Sequence, residues 1–135
     1  MRIGLVCPYS IDIPGGVQNH VLDCAQELIR RGHYVSVLAP GDEDAQVPAF
    51  VVTAGRSVGI PYNGSVARLS FGPLSYSRVR RWLRAENFDV LHVHEPSVPS
   101  LPLLACWVAS GPIVATVHTA MRKSRMLLAT QVMKV

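Results

Sequence analysis

Two adjacent glycines, Gly15 and Gly16, separate the apolar run Ile3-Gly4-Leu5-Val6-Cys7 from a segment with helical spacing, and that junction limits the folds open to the chain. A short continuous apolar run is what a strand buried on both faces shows, as in parallel sheets covered by helices. From Val17 onward, Val17, Val21, Cys24, Ala25, Leu28 and Ile29 recur at helical spacing, while Gln18, Asp23, Gln26, Glu27, Arg30 and Arg31 take the other side. Gly32 reads as the helix stop and Tyr34-Val35-Ser36-Val37-Leu38-Ala39-Pro40 as a second strand. Strand, glycine turn, helix and strand form the unit of a doubly wound sheet. Glycines let the backbone approach a ligand, and a helix starting just after them aims unpaired N–H groups and its positive dipole end at an anion. The junction is therefore a candidate phosphate site, with a plain turn as the alternative. It matches neither GxGxxG nor GxxxxGK[ST], which disfavours a dinucleotide fold of the dehydrogenase type and a P-loop NTPase.

The remaining pattern is α/β. Phe50-Val51-Val52 and Val58-Gly59-Ile60 read as short strands, and Pro61-Tyr62-Asn63-Gly64-Ser65 as turn chemistry. Residues 88–94 and 113–118 read as two further buried strands separated by a core helix over 101–109. Both strands end on a histidine, and ligands collect at the carboxyl ends of parallel strands, so His94 and His118 are candidates to line one cleft. His92, His94 and Glu95 invite a metal reading. No third ligand is placed by the spacing, so packing or cleft lining is expected and no metal is assigned.

With 135 residues, 49% hydrophobic and 16% charged, the chain is long and apolar enough for one domain with a core. Cys7, Cys24 and Cys106 show no CxxC pairing, which argues against a structural zinc and fits unpaired thiols in a reducing compartment. Residues 1–7 open directly into a strand pattern without a basic leader, so an intracellular location is expected. The apolar stretch 101–109 falls short of the ~20 residues a transmembrane helix needs.

A helix over residues 75–86 places Tyr76, Val79, Trp82 and Leu83 on one side and Arg78, Arg80, Arg81 and Arg84 on the other. Four arginines without an intervening acid, in a chain of net charge +4, suit a solvated face or an anionic lipid surface. Nucleic acid is disfavoured because no recognition motif accompanies the patch.

The stretches MRIGLVCPYS with PGGVQ, GHYVSVLAP, IPYNGSVARLSFGP, FDVLHVHEP and GPIVATVHT, running from Met1 to Thr119, resemble the N-terminal domain of the actinobacterial phosphatidyl-myo-inositol mannosyltransferases. These are retaining enzymes of glycosyltransferase family 4 with the two-domain GT-B fold. IPYNGSVARL is the most discriminating stretch, since PGGVQ and HxHEP are widespread in family 4. The resemblance implies a Rossmann-like open, mostly parallel sheet with helices on both faces. Residues 1–135 would form the acceptor-side domain, incomplete at its C-terminal end, with the donor-binding C-terminal domain absent.

By resemblance, Gly15, Gly16, Tyr9 and Lys123 contact the diphosphate side of GDP-mannose, and His118 lines the reaction centre beside the mannosyl ring. Gln18, Tyr62, Asn63 and Arg68 correspond to positions that receive the inositol phosphate headgroup, for which a planar guanidinium is suited. Arg78, Arg80, Arg81 and Arg84 would attach the domain to anionic lipid, making the protein peripheral at the inner face of the cell membrane. The resemblance further implies mannosyl transfer with retention onto phosphatidyl-myo-inositol, with Mg2+ associated with the family. No carboxylate pair suggests a double displacement of the glycosidase type. The chain departs from the family after His118-Thr119, where Ala120-Met121-Arg122-Lys123-Ser124-Arg125 replaces a serine- and threonine-rich turn and puts donor contacts there in doubt. A family 4 enzyme with a soluble acceptor such as inositol phosphate, and a non-catalytic nucleotide- or lipid-binding module, remain as alternatives. An isolated chain of this extent is expected to be inactive without the second domain.

Overall fold

Five short apolar runs pair side by side in the computed structural model, which describes residues 1–62 and 65–118. They are β1 (Arg2–Val6), β2 (Tyr34–Ala39), β3 (Val51–Thr53), β6 (Val90–His94) and β7 (Ile113–Thr116), in the order β3-β2-β1-β6-β7. Every pairing in this sheet is parallel, with Leu5 opposite Val37 on one side and His92 on the other. Between β3 and β6 the chain forms a separate antiparallel pair, β4 (Val58–Tyr62) and β5 (Ser65–Leu69), in which Tyr62 lies opposite Ser65.

Helices cover both faces of the sheet, which is the α/β Rossmann-like arrangement. Ile3, Leu5 and Cys7 alternate onto the face where Val21 and Ala25 of α1 (Gly16–Arg30) join Val35, Val37 and Ala39. Val6 and Leu38 turn to the opposite face, against Val79 and Trp82 of α2 (Pro73–Glu86) and Leu101 and Leu104 of α3 (Leu101–Val108). The buried indole of Trp82 donates to the Ser36 hydroxyl at 2.9 Å, so its polar atom is satisfied inside this core. Gly4 is required under the second layer, because a Cβ there would lie 2.7 Å from the Phe88 ring.

Several expectations shift. Pro61 and Tyr62 belong to β4 and Ser65 to β5, so the stretch read as a turn is two facing strand ends; Asn63 and Gly64 lie outside the described residues. The strand read over 113–118 ends at Thr116 and is not buried: β7 is the edge of the sheet, and Val114 is 51% exposed. Gln18, placed by periodicity on the polar side of α1, is buried, whereas Ile29 is exposed. Lys123 and the departures at 120–125 lie outside the described residues.

Candidate functional site

The strand order reverses direction between β1 and β6, since β1 leads through α1 to β2 on one side while β6 lies on the other. Loops leaving the carboxyl ends of two such strands splay apart and open a crevice, the usual ligand position in open parallel sheets. Here the two loops are Cys7-to-Gly15 and the turn at Glu95, so the glycine pair and the histidine-bearing strand end flank one crevice.

The first loop is fastened on three sides. Ser10 N–H donates to the Arg68 carbonyl of β5 at 3.0 Å, Ile11 N–H to the Pro40 carbonyl at 2.9 Å, and the Ser100 hydroxyl to the Pro8 carbonyl at 2.6 Å. Gln18 completes the clamp, its side-chain amide donating to the carbonyls of Ser10 at 3.2 Å and Ile13 at 3.1 Å. This explains its burial on an otherwise polar helix face. Tyr9 is half-buried in the same loop.

Gly15 is the N-cap of α1 and makes no side-chain cap hydrogen bond, leaving the first N–H groups of the helix without a capping side chain. The first turn carries no acidic residue. The two glycines differ in what they accommodate. A Cβ on Gly15 would lie 2.3 Å from Gln18 Oε1, whereas one on Gly16 would meet nothing within 4 Å. Gly15 keeps room for the clamp, and Gly16 faces open space at the positive end of the helix.

Across the crevice, His94 is fully buried at the end of β6 and its Nδ1 lies 2.9 Å from Nε2 of His118. The backbone N–H of His118 donates to the carboxylate of Glu95. Glu95 is itself buried and adopts φ +52°, a left-handed conformation that non-glycine residues visit rarely and that clusters at functional sites. His92 is held by Thr116 Oγ1 at 2.7 Å. His20, one helical turn into α1, brings its ring to 5.0 Å from that of His118 and 5.7 Å from that of His94. The start of α1 and His118 are thereby neighbours. Burial, reinforced by the neighbouring imidazoles His92, His118 and His20, pushes the His94 pKa down to about 3. Burial also lowers that of His118, so both rings are neutral near pH 7.

On the far side of the glycine loop, Arg68 of β5 lines an open cavity of about 250 Å³ with Ser10, Asp12, Asp42, Arg56 and Ser57. Two guanidinium groups reach this cavity, one of them, Arg56, paired with Asp42 at 3.2 Å. Nothing of the Tyr62 side chain is described, and Asn63 lies outside the described residues. Of the four arginines of α2, Arg80, Arg81 and Arg84 are exposed. Arg78 departs from them: it lies over Gly55, where a Cβ would meet its Nη1 at 2.0 Å, and pairs with Glu43 at 3.7 Å.

Sequence reasoning does not place His20 or Glu95 beside His118, or Arg56 beside Arg68. His20 carried a usable signal, because it falls one turn after the glycine pair on the helix that starts the crevice. Glu95 stands out in the sequence only beside His92 and His94, because its contact with the His118 backbone depends on a left-handed turn, and Arg56 carries no signal. No described helix is long and apolar enough to cross a membrane. Cys7 and Cys24 are free thiols, and burial raises the Cys7 pKa to about 12.

A fastened glycine loop at a helix N-terminus thus faces a histidine at the switch point of a parallel sheet, where open α/β sheets bind their ligands. Residues 14–133 match glycosyltransferase family 4, and the chain belongs to that family. It is 57% identical over 131 residues to a phosphatidyl-myo-inositol mannosyltransferase of Mycobacterium tuberculosis strain H37Rv, covering 97% of this chain and 35% of that relative. It is 60% identical over 124 residues to the enzyme of the same name from Mycobacterium leprae, covering 92% and 33%. A third relative of that name, from Propionibacterium freudenreichii subsp. shermanii, is 50% identical over 127 residues, covering 89% and 33%. The chain spans about a third of the length of the curated relatives it matches.

Proposed function

We propose that this chain forms the acceptor-side part of a mannosyltransferase that moves mannose from GDP-mannose to phosphatidyl-myo-inositol with retention at the anomeric carbon. The observation that carries the reading is the meeting of the uncapped α1 N-terminus with His118 across the crevice, in a chain 57–60% identical to proteins named phosphatidyl-myo-inositol mannosyltransferase.

In this reading the open space beside Gly16 admits the diphosphate, whose leaving charge the helix N-terminus stabilises without reorganisation. Neutral His118, oriented by Glu95 at its backbone and by His94 at its ring, offers a hydrogen-bonding nitrogen to the mannosyl ring as positive charge develops. Arg68 and its cavity, bounded by the same loop, take the phosphate of the inositol headgroup, and Tyr62 and Asn63 keep the headgroup contacts that the family resemblance gives them. Gln18 acts by holding the loop, since its amide nitrogen is already committed to two carbonyls. Lys123 belongs to the donor side, and a second domain supplies the nucleotide pocket. Among the described residues the one grouping of three potential metal ligands is three imidazoles, a donor set that does not fit Mg2+. Arg80, Arg81 and Arg84 dock the protein on the anionic inner face of the membrane, where the acceptor lies.

The test is a chimera in which this chain replaces the matching third of the Mycobacterium tuberculosis relative, assayed for transfer of labelled mannose from GDP-mannose to vesicles containing phosphatidylinositol. Labelled glycolipid is the expected product. A folded chimera that labels only free inositol phosphate would favour a soluble acceptor, and one that labels neither would refute the reading.

A further inference from the structure

His20, His94 and His118 come from three separate segments, α1, the end of β6 and the turn after β7, and each presents a ring nitrogen within 4.8 Å of the other two. We propose that these three imidazoles form a binding site for a borderline divalent transition ion of the Zn2+ class, at the mouth of the crevice. The spacing suits such an ion. Tetrahedral Zn2+ with bonds of about 2.0–2.1 Å holds its ligand nitrogens about 3.3 Å apart, and Nδ1 of His94 and Nε2 of His118 already stand 2.9 Å apart. Binding moves the proton of that hydrogen bond to the other nitrogen of its own ring, which frees both lone pairs for the ion, and opens the pair by a few tenths of an ångström.

The surroundings favour a ligand there. His94 is fully buried, and among the described residues the hydrogen-bond partner of its Nδ1 is another imidazole nitrogen, Nε2 of His118. Three nitrogen donors with nothing softer or harder among them select Zn2+, Co2+ or Ni2+ over Mg2+ or Ca2+. Glu95 lies immediately behind, and its carboxylate, by accepting the His118 backbone N–H, fixes the segment that carries this ligand. His20 is exposed, so the ion reaches the site from solvent by a side-chain rotation on α1. Three protein ligands leave the fourth position open toward the crevice. An ion held there occupies the space beside His118, so it closes the crevice to a sugar ring; that consequence, unlike the binding itself, rests on the function proposed above.

The experiment is a titration of the 135-residue chain with Co2+ in the absence of nucleotide, followed by visible absorption and then by competition with Zn2+. The expected result is one Co2+ per chain with the intense bands of tetrahedral coordination, displaced by Zn2+ and not by excess Mg2+. His20→Ala should weaken binding at least about tenfold, in line with loss of one of three ligands. His33→Ala should leave it unchanged, since that imidazole sits beyond the other end of α1, 3.1 Å from the Met1 amine. Absence of stoichiometric uptake by the folded chain would overturn the proposal, and so would affinity that His20→Ala leaves intact.

Discussion

Gly15 and Gly16 look interchangeable in the sequence, yet a methyl group would have opposite effects at the two positions. At Gly15 it would strike the amide that clamps the loop, and at Gly16 it would project into open space. Gly16→Ala should therefore stabilise the fold slightly, by up to about 0.5–1 kcal/mol from the helix preference of alanine, while weakening donor binding. Urea denaturation and GDP-mannose binding by the chimera would read the two effects separately, and unchanged donor affinity would remove Gly16 from the site. His94 makes a second prediction at this scale. Its folded pKa, about 3, lies below the ordinary value of 6.5, so between those limits the unfolded chain binds a proton that the folded chain refuses. The contribution is constant above pH 6.5 and stability falls as pH drops through that window, by up to about 1.4 kcal/mol per pH unit. The groups facing His94 are His20 from α1, His92 from its own strand, and His118 and Glu95 beyond the strand ends. Urea midpoints of the metal-free chain at about pH 7.5 and pH 5 should differ, and His94→Gln should flatten the difference.

At the scale of elements, the arginine face of α2 divides. Replacing Arg80, Arg81 and Arg84 together by glutamine should weaken attachment to anionic vesicles by roughly 1 kcal/mol, or about fivefold, for each charge at low salt. Arg78→Gln should instead act mainly on stability, because its guanidinium packs over Gly55 and pairs with Glu43. Cosedimentation with phosphatidylglycerol vesicles beside thermal melts would separate the two, and equal loss of binding in both variants would contradict the division. The helical wheel placed all four arginines on one side because Arg78 sits at the margin of the apolar stripe, and only the neighbouring loop decides which way a marginal residue turns. Periodicity found β1, α1, β2, α2, β6 and α3 to within a residue or two, since each carries its own apolar pattern. It missed β5, although Asn63-Gly64 between Tyr62 and Ser65 is a two-residue hairpin signal. The polar residues of Ser65-Val66-Ala67-Arg68-Leu69 and the proline of β4 disguise a pair that packs only partly against the core. Gln18 was misread for a related reason: its burial is set by carbonyls of a loop, which no helical period encodes.

For the molecule as a whole, the parallel sheet with its switch point between β1 and β6 decides where chemistry is possible, and the two cores on either side hold that crevice open. That much was legible, because the strand-glycine-helix-strand order and the histidines at or just beyond the ends of two strands are written in the chain. The mutual arrangement of His20, His94, Glu95 and His118 was not, since it arises from register across β1, β6 and β7. In the proposed function this crevice is the mannosyl-transfer centre. Its most direct test is the rate of mannose transfer to phosphatidylinositol by the chimera and by its His118→Ala variant, with GDP-mannose affinity measured on both. The account predicts a fall of about 100-fold or more in rate with donor affinity changed by less than about threefold, as expected for an interaction strengthened in the transition state. Transfer at the parent rate by the His118→Ala variant would contradict it.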